Sequence, residues 1–255
     1  MKTIIKKLNL SIYKNNINNY RKMLYEYKKP GETMDQFIKR VKEKHTLKKV
    51  AYTARLDPMA KGIVPIAIND ECSKIKELFN TKKTYQVKII YGIQTDSDDP
   101  LGIIQNQKKI TGEKLTIIKK SIIDYLNLIN SSSFDQKYHY FSTKMLNHRR
   151  NKQTDVIDYH KVDLFDYNVL KEGSFDFKTW LIKITNQINS IDKTKNFRQE
   201  QTIKQWNNLD LIKLHYLKIS LNVSSGFFVR QLINDISKNI NIPLMCYSIN
   251  RVSID

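Results

Sequence analysis

Ala51-Tyr52-Thr53-Ala54-Arg55-Leu56-Asp57-Pro58-Met59-Ala60-Lys61-Gly62 sets one carboxylate, Asp57, in a tight turn framed by Pro58 and Gly62. Leu56 places an apolar anchor before the acid, and the proline ring fixes the backbone after it, so the Asp57 side chain is aimed rather than left to wander. Most Asp-Pro pairs do no more than open a turn. What the rest of the chain brings to this turn decides whether it carries chemistry.

On the N-terminal side, residues 1–24 mix Lys, Asn and Tyr without a sustained period and read as an irregular arm, with a strand around residues 23–27. Lys29-Pro30-Gly31 breaks the chain. Thr33 with Gln36 forms a capping box, and Met34, Phe37, Ile38 and Val41 recur at helical spacing, which predicts an amphipathic helix over residues 34–44. On the C-terminal side, residues 63–68 form an apolar run of strand length, and residues 71–79 show helical spacing at Ile75, Leu78 and Phe79. The period then changes to two: Tyr85, Val87, Ile89 and Tyr91 alternate up to Gly92, as in a half-buried strand.

Thr95-Asp96-Ser97-Asp98-Asp99-Pro100-Leu101-Gly102 spaces its acids somewhat like a calcium loop. It lacks the glycine at the sixth position and the terminal glutamate of that motif, so a hydrogen-bonded turn is expected and no metal. Leu115, Ile118, Ile122, Tyr125 and Ile129 mark a second long helix. Residues 136–152 interleave rings and cations, the composition a nucleic-acid surface needs for stacking and phosphate contact. Residues 171–210 show little regular pattern and read as an insertion within a single domain. Leu217, Ile219, Leu221 and Val223 alternate as a strand, Ser224-Ser225-Gly226 turns, and Val229, Leu232, Ile233, Ile236 and Ile240 set a helix stripe. Arg230 lies off that stripe in the first turn, where a cation opposes the helix dipole; pairing with a carboxylate would account for it.

The 255 residues, 40% of them apolar, suffice for a folded core. No run is long enough to cross a bilayer and no secretory signal is apparent, so an intracellular, cytoplasmic protein without membrane association is expected. Cys72 and Cys246 lie far apart with no CxxC companion, which argues against a disulfide framework or a zinc cluster. A net charge of +19 fits a polyanionic partner, although an AT-rich coding sequence produces the same Lys, Asn and Ile bias.

Three separated pieces stand in one order: the Leu-Asp-Pro-x-Ala-x-Gly turn, the strand opening Lys-x-Tyr, and the Ser-x-Gly-x-Phe-x-Arg turn before a helix. Together with Lys29-Pro30, Thr95-Asp96-Ser97-Asp98-Asp99, Gly102 and Arg251-Val252, they resemble the TruB family of pseudouridine synthases over nearly the whole chain from about residue 25. The resemblance implies an α+β pseudouridine synthase fold, a central mixed sheet flanked by helices with an RNA-binding thumb or insertion. It also implies an isomerase that converts a uridine in the T arm of tRNA, of the position-55 type, without a metal or organic cofactor.

By matching position, Asp57 is the family's catalytic aspartate, Tyr85 its stacking tyrosine and Arg230 the arginine paired with the aspartate, expected as a bidentate fork. Lys29 and Pro30 match the Lys-Pro that lines the site. Tyr52 stands where the family carries the histidine of Gly-His-Thr-Gly. Phe141 and Ser142 match the family's Tyr-Ser segment, Lys144 adjoins the family's lysine position, held here by Met145, and Phe228 stands in the Gly-x-Phe turn. A monomer of one catalytic domain spanning residues 1–255 is expected, its chain ending where many members begin a PUA domain. Two other readings share these motifs: a noncatalytic tRNA-binding or folding module, and a guide-RNA-dependent synthase of the dyskerin type.

Overall fold

The computed structural model describes residues 23–78, 81–142 and 159–255. Among these, eight strands form one sheet, in the spatial order β1 (Met23–Lys28), β3 (Lys61–Ile68), β10 (Leu244–Ile254), β4 (Lys83–Tyr91), β9 (Lys213–Val223), β8 (Tyr159–Asp176) and β7 (Ser132–Lys137), with β2 (Val50–Tyr52) also paired to β3. β10 runs parallel to β3 and every other pair is antiparallel, so the sheet is mixed, as expected. A hairpin of β5 (Ile93–Thr95) and β6 (Ile104–Gln107) stands apart.

The period-two pattern puts Tyr85, Val87 and Ile89 of β4 and Leu217, Ile219 and Leu221 of β9 on one face, here the front. Helices α1 (Met34–His45), α2 (Gly112–Ile129) and α5 (Val229–Ile240) contribute to that core, through Phe37 and Val41, Ile118 and Ile122, and Leu232, Ile233 and Ile236. The capping box is present at the start of α1: Gln36 N–H donates to Thr33 Oγ1 over 3.1 Å and Thr33 N–H to Gln36 Oε1 over 2.9 Å. Residues 69–78 form a 3-10 helix, a tighter turn than the α-helical spacing predicts; Phe79 lies outside the described residues.

Residues 171–210 differ most from the sequence reading. Residues up to Asp176 complete β8, paired along β9, and the rest builds α3 (Phe177–Ser190) and α4 (Gln199–Asn207). Phe177, Trp180, Ile184 and Ile188 line one side of α3, capped by Asp176, whose carboxylate accepts from Thr179 N–H. They pack with Trp206 of α4 against Ile90, Leu214 and Met245 on the back of the sheet. Five such side chains, buried at about 2 kcal/mol each, contribute roughly 10 kcal/mol gross. The segment is thus a regular, packed second core layer, where its sequence shows little regular pattern.

Candidate active site

The turn after Leu56 is braced from behind. Ala60 N–H donates to Asp57 O over 3.0 Å, closing the turn, and Gly31 N–H donates to Pro58 O over 2.9 Å. Lys28, fully buried at the end of β1, aims its ammonium at the turn's carbonyls: Ala60 O at 2.8 Å, Asp57 O at 3.0 Å and Pro58 O at 3.3 Å. Burial pulls this lysine down to about 8, against the favourable fields of Glu32 and Asp57. Arg251, also fully buried, donates from Nε to Ile63 O (2.8 Å) and from Nη2 to Ala54 O (2.9 Å), tying both flanks of the turn to β10. Gly62 allows the approach: its φ is +134°, and a Cβ there would lie 2.3 Å from Arg251 O.

Asp57 stands at the mouth of a pocket of about 330 Å3, a volume suited to a small ligand or a single base. Tyr85, Lys83, Ser142, Phe228 and Arg230 line it. Tyr85 is buried in β4 beside Arg251 in register. Lys83, two residues earlier on the same face, is held down at about 8 by burial and by the Arg251 cation, and donates to Thr81 O at 2.7 Å.

Arg230 does pair with Asp57, Nε to Oδ2 at 2.9 Å, but not as the expected bidentate fork. Its Nη1 donates to Ser97 O at 2.9 Å and lies 3.5 Å from Asp99 Oδ2, so one guanidinium bridges the Asp57 turn and the acidic loop. Asp57 keeps 40% of its side-chain area in solvent whereas Arg230 keeps 6%, so the arginine is the desolvated partner. Burial works against the Arg230 cation, and the Asp57 and Asp99 carboxylates more than offset it, raising its affinity for the proton. Asp99 is pushed up to about 6, by burial first and by the Asp57 charge, with Arg230 opposing.

The acidic loop is a hydrogen-bonded turn, as its sequence suggests. Asp99 accepts from Ser97 Oγ (2.8 Å) and Leu101 N–H (2.9 Å). Asp98 accepts from Asn234 Nδ2 at 2.9 Å and from His139 Nε2 at 3.1 Å. Burial and the Arg230 cation lower His139, so its ring is neutral at pH 7, with Nε2 protonated toward Asp98 and Nδ1 accepting from Phe141 N–H at 3.3 Å. Asp96 takes the guanidinium of Arg198, which precedes α4, in a two-pronged pair of 2.6 and 3.1 Å. Asp98 and Asp99 thus both reach α5, Asp96 reaches the residue before α4, and no group of metal-ligating side chains gathers among the described residues.

The remaining predicted residues divide. Phe228 lines the pocket at the start of α5, its backbone clamped by Gln136, whose Oε1 accepts from Phe228 N–H (2.8 Å) and whose Nε2 donates to Phe228 O (3.1 Å). Ser142 is buried in the lining. Tyr52 ends β2 half-buried, with the Arg55 guanidinium 5.6 Å from its ring centre; Thr53, Ala54 and Arg55, rather than Tyr52 itself, reach the lining. Phe141 is half-buried 5.4 Å from the Arg198 guanidinium, outside the lining. Lys29 is exposed and Pro30 is half-buried, and neither lines the pocket; the lysine that reaches the turn is Lys28. Lys144 lies outside the described residues.

Sequence reasoning missed Lys28, Lys83, Asp99 and Gln136. Lys83 had a signal, as the first residue of Lys-x-Tyr; a buried Lys28 next to an exposed Lys29 had none.

The mixed sheet with helices on both faces and this pocket at the front defines a pseudouridine synthase fold. Two solved chains share it at 12% identity: one in a Cbf5-Nop10-Gar1 complex (TM-score 0.53, covering 91% of this chain and 48% of that one), the other in an H/ACA RNP bound to a substrate RNA containing 2'-deoxyuridine (TM-score 0.52, 91% and 46%). The present chain therefore spans under half the length of those solved chains. The model of the TruB family pseudouridylate synthase N-terminal domain matches residues 42–156. The tRNA pseudouridine synthase B of Malacoplasma penetrans (strain HF-2) is 24% identical over 226 residues, 86% of this chain and 79% of that protein. That of Mycoplasmoides gallisepticum (strain R(low / passage 15 / clone 2)) is 25% identical over 210 residues, 82% and 80%. Over these matched residues the chain is homologous to TruB-family pseudouridine synthases.

Proposed function

We propose that this chain isomerises a uridine in the T arm of tRNA to pseudouridine, with Asp57 as the catalytic carboxylate. The observation that carries the reading is the placement of Asp57: half-exposed at the mouth of a pocket, on a turn braced by Lys28 and Arg251, with Arg230 Nε 2.9 Å from Oδ2.

The reaction breaks the C1'–N1 bond, turns the uracil and forms a C1'–C5 bond; the proton on C5 leaves and N1 gains one, so substrate and product are isomers and no electrons are exchanged with a second reactant. An ionised Asp57 serves either as the nucleophile toward sugar or base, or as the base that removes a sugar proton. Arg230, fixed on the acidic loop through Ser97 and Asp99, orients it. Extruding a stacked base costs a few kcal/mol. Tyr85 offers a ring on the pocket wall as a stacking platform for the uracil.

The test is incubation with a T-arm transcript followed by mapping of pseudouridine. Modification by wild type and none by Asp57→Ala is the expected result; no modification by wild type would sink the reading. The alternative of a noncatalytic folding module is favoured by Tyr52, a ring that cannot carry charge near neutral pH where the family has a histidine. It predicts unimpaired tRNA folding by Asp57→Ala and no isomerisation by either protein.

A further inference from the structure

The back of the sheet carries a row of lysines that the pocket does not use. Lys88 of β4 pairs in register with Lys218 of β9, and Lys218 with Lys171 of β8, so three ammonium stems share one face of adjacent strands roughly 5 Å apart. Lys61, four residues after Asp57, and Lys183 of α3 belong to the same group: each acts on Lys88, and Lys183 and Lys218 act on Lys61, as like charges. Burial and these neighbours hold Lys61 and Lys88 below the usual lysine range.

Like charges directly opposite one another destabilise a sheet. Among the described residues none of the five pairs with a carboxylate. The acid nearest in sequence, Glu172, turns to the front and meets Lys119 of α2 at 3.0 Å. Asp166 shares the back face four residues along β9 from Lys218, and accepts instead from Asn168. An aromatic floor holds two of the lysines from below: Lys88 Nζ lies 4.8 Å from the Tyr216 ring centre and 5.9 Å from that of Tyr247, and Lys183 Nζ 5.8 Å from Tyr247. Phe175 packs between these two tyrosines at 5.3 Å from each. Rings that are themselves buried do not stack on a ligand; here they position cations.

We propose that this face is a second RNA-binding surface, which takes the phosphate backbone of an RNA segment lying outside the pocket. Its ligand chemistry is a run of phosphates: the site offers several point charges on adjacent strands. Lys61 connects it to the catalytic turn, so an RNA held at Asp57 and passing the edge of that turn meets the row next. Lys61, Lys88 and Lys218 are half-buried on the sheet beside α3, where a strand of phosphates reaches them more readily than a flat bilayer does. The choice of RNA as polyanion rests on the function proposed above.

The experiment compares wild type with the triple variant K88Q/K171Q/K218Q, using fluorescence anisotropy of a labelled full-length tRNA transcript across a salt series. Three lost phosphate contacts make the log–log salt slope shallower by about 2 and weaken binding by at least about tenfold at 0.1 M salt. A charge-matched triple on exposed lysines elsewhere, K108Q/K109Q/K114Q, is expected to leave the slope nearly unchanged. Pseudouridine formation on a short T-arm hairpin should match wild type in both triples, and the thermal midpoint of the first should not fall, since repulsion is relieved.

An unaltered slope and affinity in K88Q/K171Q/K218Q, or an equal loss in both triples, would overturn the proposal. So would intact RNA affinity with lost binding to phosphatidylserine vesicles, which assigns the face to lipid. Because the readout is binding, it survives failure of the catalytic reading: an inactive wild type that still shows the slope change sinks the isomerase and keeps the surface.

Discussion

Replacing Arg230 by glutamine removes the cation lying between two carboxylates of unequal exposure, and the two should respond differently. Asp57 faces water over 40% of its side chain and can be solvated when its partner goes. Asp99 is 4% exposed and cannot. It keeps Ser97 Oγ and Leu101 N–H but loses the only guanidinium near it among the described residues. Breaking a buried ion pair from one side costs about 3–5 kcal/mol. At about 2–4 °C per kcal/mol for a chain of this size, the melting temperature should fall by roughly 6–20 °C. Adding Asp99→Asn removes the stranded charge and should return about 1–3 kcal/mol, a coupling that a double-mutant cycle in urea isolates. Isomerisation should not return with it, since Asp57 still lacks its partner. A loss below about 1 kcal/mol in Arg230→Gln, or strict additivity with Asp99→Asn, would refute the view that one guanidinium serves both acids.

Four further outcomes follow from the same geometry. The Asp99 carboxyl holds its proton up to about pH 6 in the folded protein, against about 3.9 in an unfolded chain, so its contribution to stability is complete below about pH 4 and is lost as pH rises through about 6. The stability of wild type relative to Asp99→Asn, from urea melts, should fall over that window; a flat difference would contradict the assignment. Tyr85→Ala should lower kcat/KM by about 5- to 150-fold, the worth of one stacked base, and Tyr85→Phe by much less; equal losses would mean that the hydroxyl, not the ring, matters. Gly62→Ala should destabilise by more than about 2 kcal/mol, because the new methyl meets Arg251 backbone atoms at 2.3 and 2.6 Å on a residue with φ of +134°; a melting temperature within 2 °C of wild type, read by circular dichroism, would disprove it. The charge-removal triple on the back of the sheet should lower RNA affinity without lowering the thermal midpoint.

Much of this architecture can be read from local pattern. The period of two in β4 and β9, the stripe of α5 and the capping box of α1 are written within one element each, and each appears where its spacing puts it. The stripe of α3, Phe177, Trp180, Ile184 and Ile188, was equally local, with an Asp cap before it, and was obscured by the polar run of residues 193–200 that follows. The support of the site is different in kind. Lys28 meets its acceptors up to 32 residues away, Gln136 clamps a backbone 92 residues on, and Arg230 reaches a carbonyl 133 residues back. No window of sequence contains such pairs. A motif can name Asp57 and Arg230, but Lys28 and Asp99 become visible only when the sheet brings the segments together.

That support also explains why a lysine is kept in the interior at a visible electrostatic cost. The carbonyls of Asp57, Pro58 and Ala60 converge on the buried end of β1, and a buried carbonyl without a partner costs about 1–3 kcal/mol. Gly31 N–H and the turn's own Ala60 N–H reach two of them, and Lys28 donates to all three, most closely to Ala60 O. A single ammonium, pulled down to about 8 by burial, satisfies several acceptors at once, which no apolar side chain of that length can do. The direction of Asp57 is therefore set through its backbone by Lys28 and Arg251, while Arg230 acts on the carboxylate alone. Lys28→Met should consequently be the more damaging change to geometry: amide exchange at Ala60 and Gly31 should accelerate strongly in Lys28→Met and little in Arg230→Gln, and kcat/KM should fall at least about tenfold. Equal protection of those two amides in both variants would mean that the ion pair, and not the buried lysine, holds the Asp57 turn.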